Sequence, residues 1–319
     1  MKKSFLIVFF SFAFFASSSL FADLKGTGRL SIAVSFNAME ELTRAIVKDL
    51  ADVSLIIPEG MEPHEAEPTP KNLIFLSNAD VLVYNGLGME FYLEKTLSAV
   101  ENKNIVLIEA SKGIEPIKLN EEEHRHAHED EESEDEHDGE EGEEHHHHHH
   151  GSVDPHAWLS PSSAIMMVKN IQTELSRIDT KNGAVYKKNA DAYIKQLRSL
   201  IKSYKGKFAK LKNKNFVASH AAFGYLCRDF GLVQSSIQDV FAEGEPNAKQ
   251  LATLVEHCKE HGIKIIFSEE ASSTALAETL SREVGGKVVK IYTIEMSEDN
   301  MDYLSRMKEN LKRIYENLK

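Results

Sequence analysis

The chain has 319 residues, 42% of them hydrophobic, enough for two medium domains with cores of their own, which excludes both a disordered tail and a disulfide-dependent miniprotein. Its formal charge of −13 excludes the basic surface that nucleic acid selects. The acidity is local: residues 121–144 hold 15 Asp or Glu against one base, Arg125, so this stretch carries −14 and everything else sums to +1.

Residues 1–22 come first. Met1-Lys2-Lys3 is a basic start, 5–15 an apolar run, and 16–22 a stretch of small residues ending in Ala22. That order is a secretory signal cut after Ala22. The run is shorter than a bilayer span, and no cysteine follows the cut to accept a lipid. A free protein of the periplasm, with no direct membrane anchor, is expected.

The stretch 23–181 reads as a first α/β lobe. Short β-branched runs at 30–36, 53–58, 81–85 and 105–110 alternate with helical patterns, the signature of a parallel sheet. Within it, 117–153 has no periodicity and reads as a surface insertion. It carries His124, His126, His128, His137 and the run His145, His146, His147, His148, His149 and His150 among its carboxylates. Imidazole and acid at that density suit divalent cations, and the negative field raises their local concentration. A solvated charged linker is the plainer reading.

A linking helix is expected over 182–213, where Tyr186, Ala190, Tyr193, Leu197, Leu200, Tyr204, Phe208 and Leu211 step by three and four. Some thirty residues make a rigid rod of about 45 Å, long enough to run the height of both lobes. Tyrosines at several seam positions make it a weak zipper, so a monomer is expected. Residues 214–319 then repeat the strand-helix pattern, with strands at 216–220, 233–238, 263–269 and 288–295. The fold class is α/β, with two lobes, each a parallel β-sheet flanked by helices, joined by one long backbone helix. Cys227 and Cys258 are the only cysteines; they form either a disulfide or two separate buried thiols.

Candidate ligands follow the strand ends, where open α/β sheets bind their ligands. His64 follows the second strand, His156 lies in a turn leading into a helix, His220 ends the strand 216–220, and Glu295 ends the last strand. Three imidazoles and a carboxylate form a set that a borderline ion such as zinc takes. His257 and His261 are four apart, but with Lys259 and Glu260 between them they read as a solvated helix face. Glu269 and Glu270, at another strand end, could line a cleft as ligands or as a contact to a partner.

Three segments carry a resemblance: Pro63-His64-Glu65-Ala66-Glu67-Pro68-Thr69-Pro70, Asp154-Pro155-His156-Ala157-Trp158-Leu159-Ser160-Pro161, and Ser219-His220-Ala221-Ala222-Phe223-Gly224-Tyr225-Leu226. In order and spacing they resemble the motifs of the metal-binding solute-receptor family of ABC importers, in its zinc branch, over about 30–318. The resemblance implies a metal between two lobes joined by a backbone helix, with His64, His156 and His220 as leading ligands and Glu295 at the position of the last-strand acid. That acid is usually Asp, and a water, Glu59 or Glu65 competes for the fourth place. Manganese receptors resembling this chain have a carboxylate where His220 stands. The implied function is therefore a Zn2+ receptor delivering its ion to the membrane permease of a zinc ABC transporter. A manganese or iron receptor, a surface zinc scavenger or adhesin, and a zinc-dependent hydrolase are the alternatives. Against the hydrolase, the chain has no His-Glu-x-x-His helix, nucleophile elbow or phosphate cradle. Because histidines must shed protons to bind, affinity is expected to fall as pH drops through roughly 6.5.

Overall fold

Eight short apolar strands and nine α-helices account for the regular structure among the described residues of the computed structural model, which are 28–64, 66–100, 102, 104–119, 152–239, 247–269 and 274–319. The leader at 1–22, the acidic His-rich residues 121–150, Glu65 and Glu270 lie outside them.

The first sheet has β1 (Leu30–Val34), β2 (Ala51–Leu55), β3 (Val81–Tyr84) and β4 (Val106–Glu109) in the order β2-β1-β3-β4, all parallel. Ile32 stands opposite both Val53 and Val81. Between the strands run α1 (Asn37–Val47), α2 (Pro70–Asn78) and α3 (Leu93–Ala99). The start of α2 is set locally: Thr69 and Asn72 form a reciprocal capping box, and Pro70 occupies the first turn, where no backbone N–H is needed.

After β4 the chain enters the insertion at Lys118 and leaves it at Val153, and these two residues pair as an antiparallel bridge. A 3-10 turn (Ala157–Leu159) leads into α4 (Pro161–Ile178), capped by the Ser160 hydroxyl, and then into α5 (Gly183–Phe208). With 26 residues, α5 is about 39 Å long. It stops before the expected end because Leu211 turns back into the core, its N–H bonded to the Phe208 carbonyl.

The second sheet repeats the first with β5 (Asn215–His220), β6 (Val233–Gln238), β7 (Ile265–Ser268) and β8 (Lys287–Lys290) in the order β6-β5-β7-β8, again parallel. Its helices are α6 (Gly224–Phe230), α7 (Ala248–Glu260), α8 (Thr274–Glu283) and α9 (Tyr303–Leu318). One core runs through the molecule: Ile32 and Val83 of the first sheet, Leu197 and Phe208 of α5, and Phe216 and Phe267 of the second sheet belong to a single buried cluster. A smaller apolar layer covers the far face of each sheet. Sheets buried on both faces need near-continuous apolar strands, which explains the β-branched runs.

One expectation about the strands changes, and one open question closes. The last strand ends at Lys290, not at Glu295. Ile291 still bonds to Ser268, but at Tyr292 the side chain of Asn310 on α9 takes both the backbone N–H (2.9 Å) and the carbonyl (2.7 Å), so the chain leaves the sheet. Glu295 is therefore a loop residue. The cysteines, left open by the sequence, are free thiols in separate layers: Cys227 packs in the central core and Cys258 in the outer layer, on opposite faces of the second sheet. Among the described residues no helix is long and apolar enough to cross a membrane.

Candidate metal centre

His64, His156, His220 and Glu295 come together at the C-terminal edges of the two sheets, all buried, with one possible ligand atom from each lying within 4.8 Å of the others. Each arrives by a different route. The chain after β2 turns at Gly60, in the left-handed conformation at φ +83°, and returns with His64. His156 sits in the turn before α4, His220 is the last residue of β5, and Glu295 hangs from the loop after β8.

The Nε2 atoms converge. His64 Nε2 is 2.9 Å from His156 Nε2, which is 3.3 Å from His220 Nε2. Glu295 Oε1 lies 3.7 Å from His64 Nε2 and 3.5 Å from His156 Nε2. A tetrahedral zinc ion with bonds of about 2.0–2.1 Å separates its ligand atoms by roughly 3.4 Å. The observed edges bracket that value, and the extra methylene of Glu relative to Asp brings its oxygen into the set rather than past it. Among the described residues no other group of three or more His, Cys, Asp or Glu could hold a metal.

Outer carboxylates back the imidazoles. Asp154 Oδ1 accepts both the backbone N–H (2.8 Å) and Nδ1–H (2.9 Å) of His156, which leaves Nε2 facing the centre. Glu269 stands behind His220 as an ion-pair contact, with Oε1 3.3 Å from Nδ1, while its other oxygen accepts the Ser219 hydroxyl at 2.5 Å. The turn carrying His156 is itself held: Asn85 donates to the Pro155 carbonyl (3.0 Å), and Tyr225 donates to the Asp154 carbonyl (2.8 Å). Gly224 is required beside it, since a Cβ there would stand 2.8 Å from Asp154 Oδ2.

Charge balance follows from these contacts. Burial acts to raise the Glu295 carboxyl, but the neighbouring imidazoles of His156 and His64 outweigh it and hold Glu295 well below the usual carboxylate range. Burial acts to lower His156, yet its hydrogen bond to Asp154 and the nearby Glu295 carboxylate prevail and raise it to about 9. His64 is lowered by its burial. Glu62 is pushed up to about 8, first by burial and then by the negative charge of Glu295; its carboxyl accepts the His64 N–H at 3.4 Å.

The remaining candidates lie elsewhere. Glu59 is exposed and lines a small surface cleft together with Phe36, Glu295 and Met296. His257 and His261 pack with ring centroids 4.5 Å apart, tilted by 56°, at the end of α7, outside the cluster. Glu269 backs His220. The sequence reading missed Glu62, the aiming role of Asp154 and the contact of Glu269 with His220; of these only Asp154, two residues before His156, carried a local signal.

Comparison with known proteins places this centre in context. The chain is 40% identical over 289 residues to a putative metal-binding protein of Treponema pallidum, covering 91% of this chain and 87% of that one. It is 39% identical over 302 residues to the high-affinity zinc uptake system protein ZnuA of Bacillus subtilis, covering 93% and 90%. Among solved structures, the laminin-binding protein Lmb of Streptococcus agalactiae, described as bifunctional with adhesin and metal-transporting activity, superposes with a TM-score of 0.77 at 28% identity, covering 91% of this chain and all of that one. Residues 32–317 match the profile of the family described as ZnuA, the periplasmic zinc-uptake complex component A, and the chain belongs to that family, whose members bind a transported substrate and are not enzymes.

Proposed function

We propose that the protein is a periplasmic receptor that takes one Zn2+ into the cleft between its lobes and delivers it to the membrane permease of an ABC-type zinc importer. The observation that carries this reading is the convergence of three imidazole Nε2 atoms and one carboxylate oxygen, all buried and within 4.8 Å of one another, a set that a tetrahedral zinc ion takes. His64 and His156 come from the first lobe, His220 and Glu295 from the second, so the ion bridges the two. Three nitrogens against one carboxylate favour zinc over manganese, which prefers oxygen-rich sets. The exported location rests on the leader at 1–22 and on the family's periplasmic members. The histidines of 121–150 gather zinc when the metal is scarce.

Elemental analysis of the purified protein, with an anomalous-scattering map at the zinc edge, tests the reading. One zinc on His64, His156, His220 and Glu295 is expected; manganese there, or a zinc held by other residues, overturns it.

A further inference from the structure

Glu295 reaches the imidazoles from a segment outside any regular element, and the groups that hold this segment are not ligands. Ile294 has φ +60°, a strained backbone for a β-branched residue, so the turn does not keep its shape unaided. On each side of Glu295 a backbone carbonyl is taken by a buried side chain. The Thr293 carbonyl accepts the Trp158 indole N–H at 2.7 Å. The Met296 carbonyl accepts Nη1–H of Arg306, a fully buried arginine of α9. The other arm of that guanidinium crosses to the first lobe, where Nη2 donates to Asn37 Oδ1 at 2.7 Å and pairs with Glu41, both on α1. Glu41 in turn accepts the Tyr303 N–H at the start of α9. Only a planar fork with several fixed donors serves acceptors in these directions at once; a lysine offers one point charge.

We propose that Arg306 is a positioning residue for the metal centre: by clamping the Met296 carbonyl to α1 it holds the strained turn, and with it the Glu295 carboxylate, against His64 and His156. The proposal rests on the reading of these residues as the metal site. Without the clamp the turn relaxes, the carboxylate withdraws, and three imidazoles are left to complete the ion's shell with water.

Cobalt(II), whose visible absorption reports coordination number, is the probe, added to the full-length protein below one equivalent so that the tightest site fills alone. Wild type, R306M, R306K, E295Q and E295Q/R306M are compared, with zinc affinities from a competing chelator. R306M is expected to shift the cobalt spectrum to that of E295Q and to weaken zinc roughly 10- to 100-fold, the scale of losing an outer support. R306K is expected to fall between wild type and R306M. In the E295Q background, R306M is expected to cost no further affinity, because the two changes remove the same contact. A wild-type spectrum and affinity in R306M, or a loss fully additive with E295Q, overturns the proposal while leaving the metal site intact. Should R306M not fold, Asn37→Ala removes one anchor and is expected to shift the spectrum the same way by a smaller amount; no shift there overturns the proposal equally. A wild-type protein that binds neither cobalt nor zinc in the cleft overturns the site reading itself.

Discussion

Asp154 and His156 are joined twice across two positions of chain, one carboxylate oxygen holding both the backbone N–H and the ring Nδ1–H of the histidine. The direction of Nε2 is thereby set before any ion arrives. Asp154→Asn keeps the shape but can present an amide N–H to Nδ1, so zinc affinity is expected to fall about 10- to 100-fold. A chelator-competition titration measures this, and an unchanged affinity would show that the pair does not aim the ring.

In the proposed site, His220 is the donor that distinguishes the set from an oxygen-rich one. His220→Ala removes a donor outright, and zinc is expected to bind on the order of 100-fold more weakly or worse, beyond the loss from an outer support. His220→Asp is expected to narrow the preference for zinc over manganese, because it exchanges a nitrogen for an oxygen. Parallel titrations with the two metals decide both points.

Proton release has a definite sign. With His156 at about 9, the empty site holds a proton at neutral pH that zinc must displace. Affinity is therefore expected to climb about tenfold per pH unit up to about 9 and to decline on acidification throughout that range, a higher threshold than the 6.5 of an ordinary histidine. Calorimetry at pH 7.5 in two buffers of different ionisation enthalpy should report about one proton released per zinc. Zero protons released would contradict the assignment.

The acidic His-rich stretch is separable from the cleft. Deleting residues 121–150 is expected to remove the weak zinc sites and leave one tight site, as read by equilibrium dialysis. The neighbouring pairing of Lys118 and Val153 gives the deletion a natural joint. Unchanged stoichiometry would mean that these histidines hold no zinc.

Burial raises the thiols, Cys258 to about 11 and Cys227 further. Both are expected to be inert to a thiol reagent in the native protein and to titrate as two free thiols after denaturation without reductant. No reactive thiol in the denatured protein would establish a disulfide.

The architecture was legible because parallel sheets covered on both faces demand apolar runs, and those runs are visible as sequence. Six of the eight strands start and stop within two residues of where the β-branched stretches do, and β2 stops three residues short of its stretch. The eighth misleads because Tyr292, Thr293 and Ile294 have strand-like side chains, while what ends the strand is Asn310, eighteen residues away on another helix. His64, His156 and His220 stood out as rare residues in motifs after strand ends. Arg306 and Glu62 did not. An arginine in an amphipathic helix of mixed charge reads as solvent-exposed, and its burial is decided by α1, more than 260 residues earlier in the chain.

The shared core from Ile32 to Phe267 bears on how a loaded receptor can be told from an empty one. A swing of one half against the other would open the layer that packs on α5 and expose apolar surface now buried. On the proposed function, the message that cargo is aboard is then written in side chains and short loops at the rim, and a permease reads a local inscription rather than a change of silhouette.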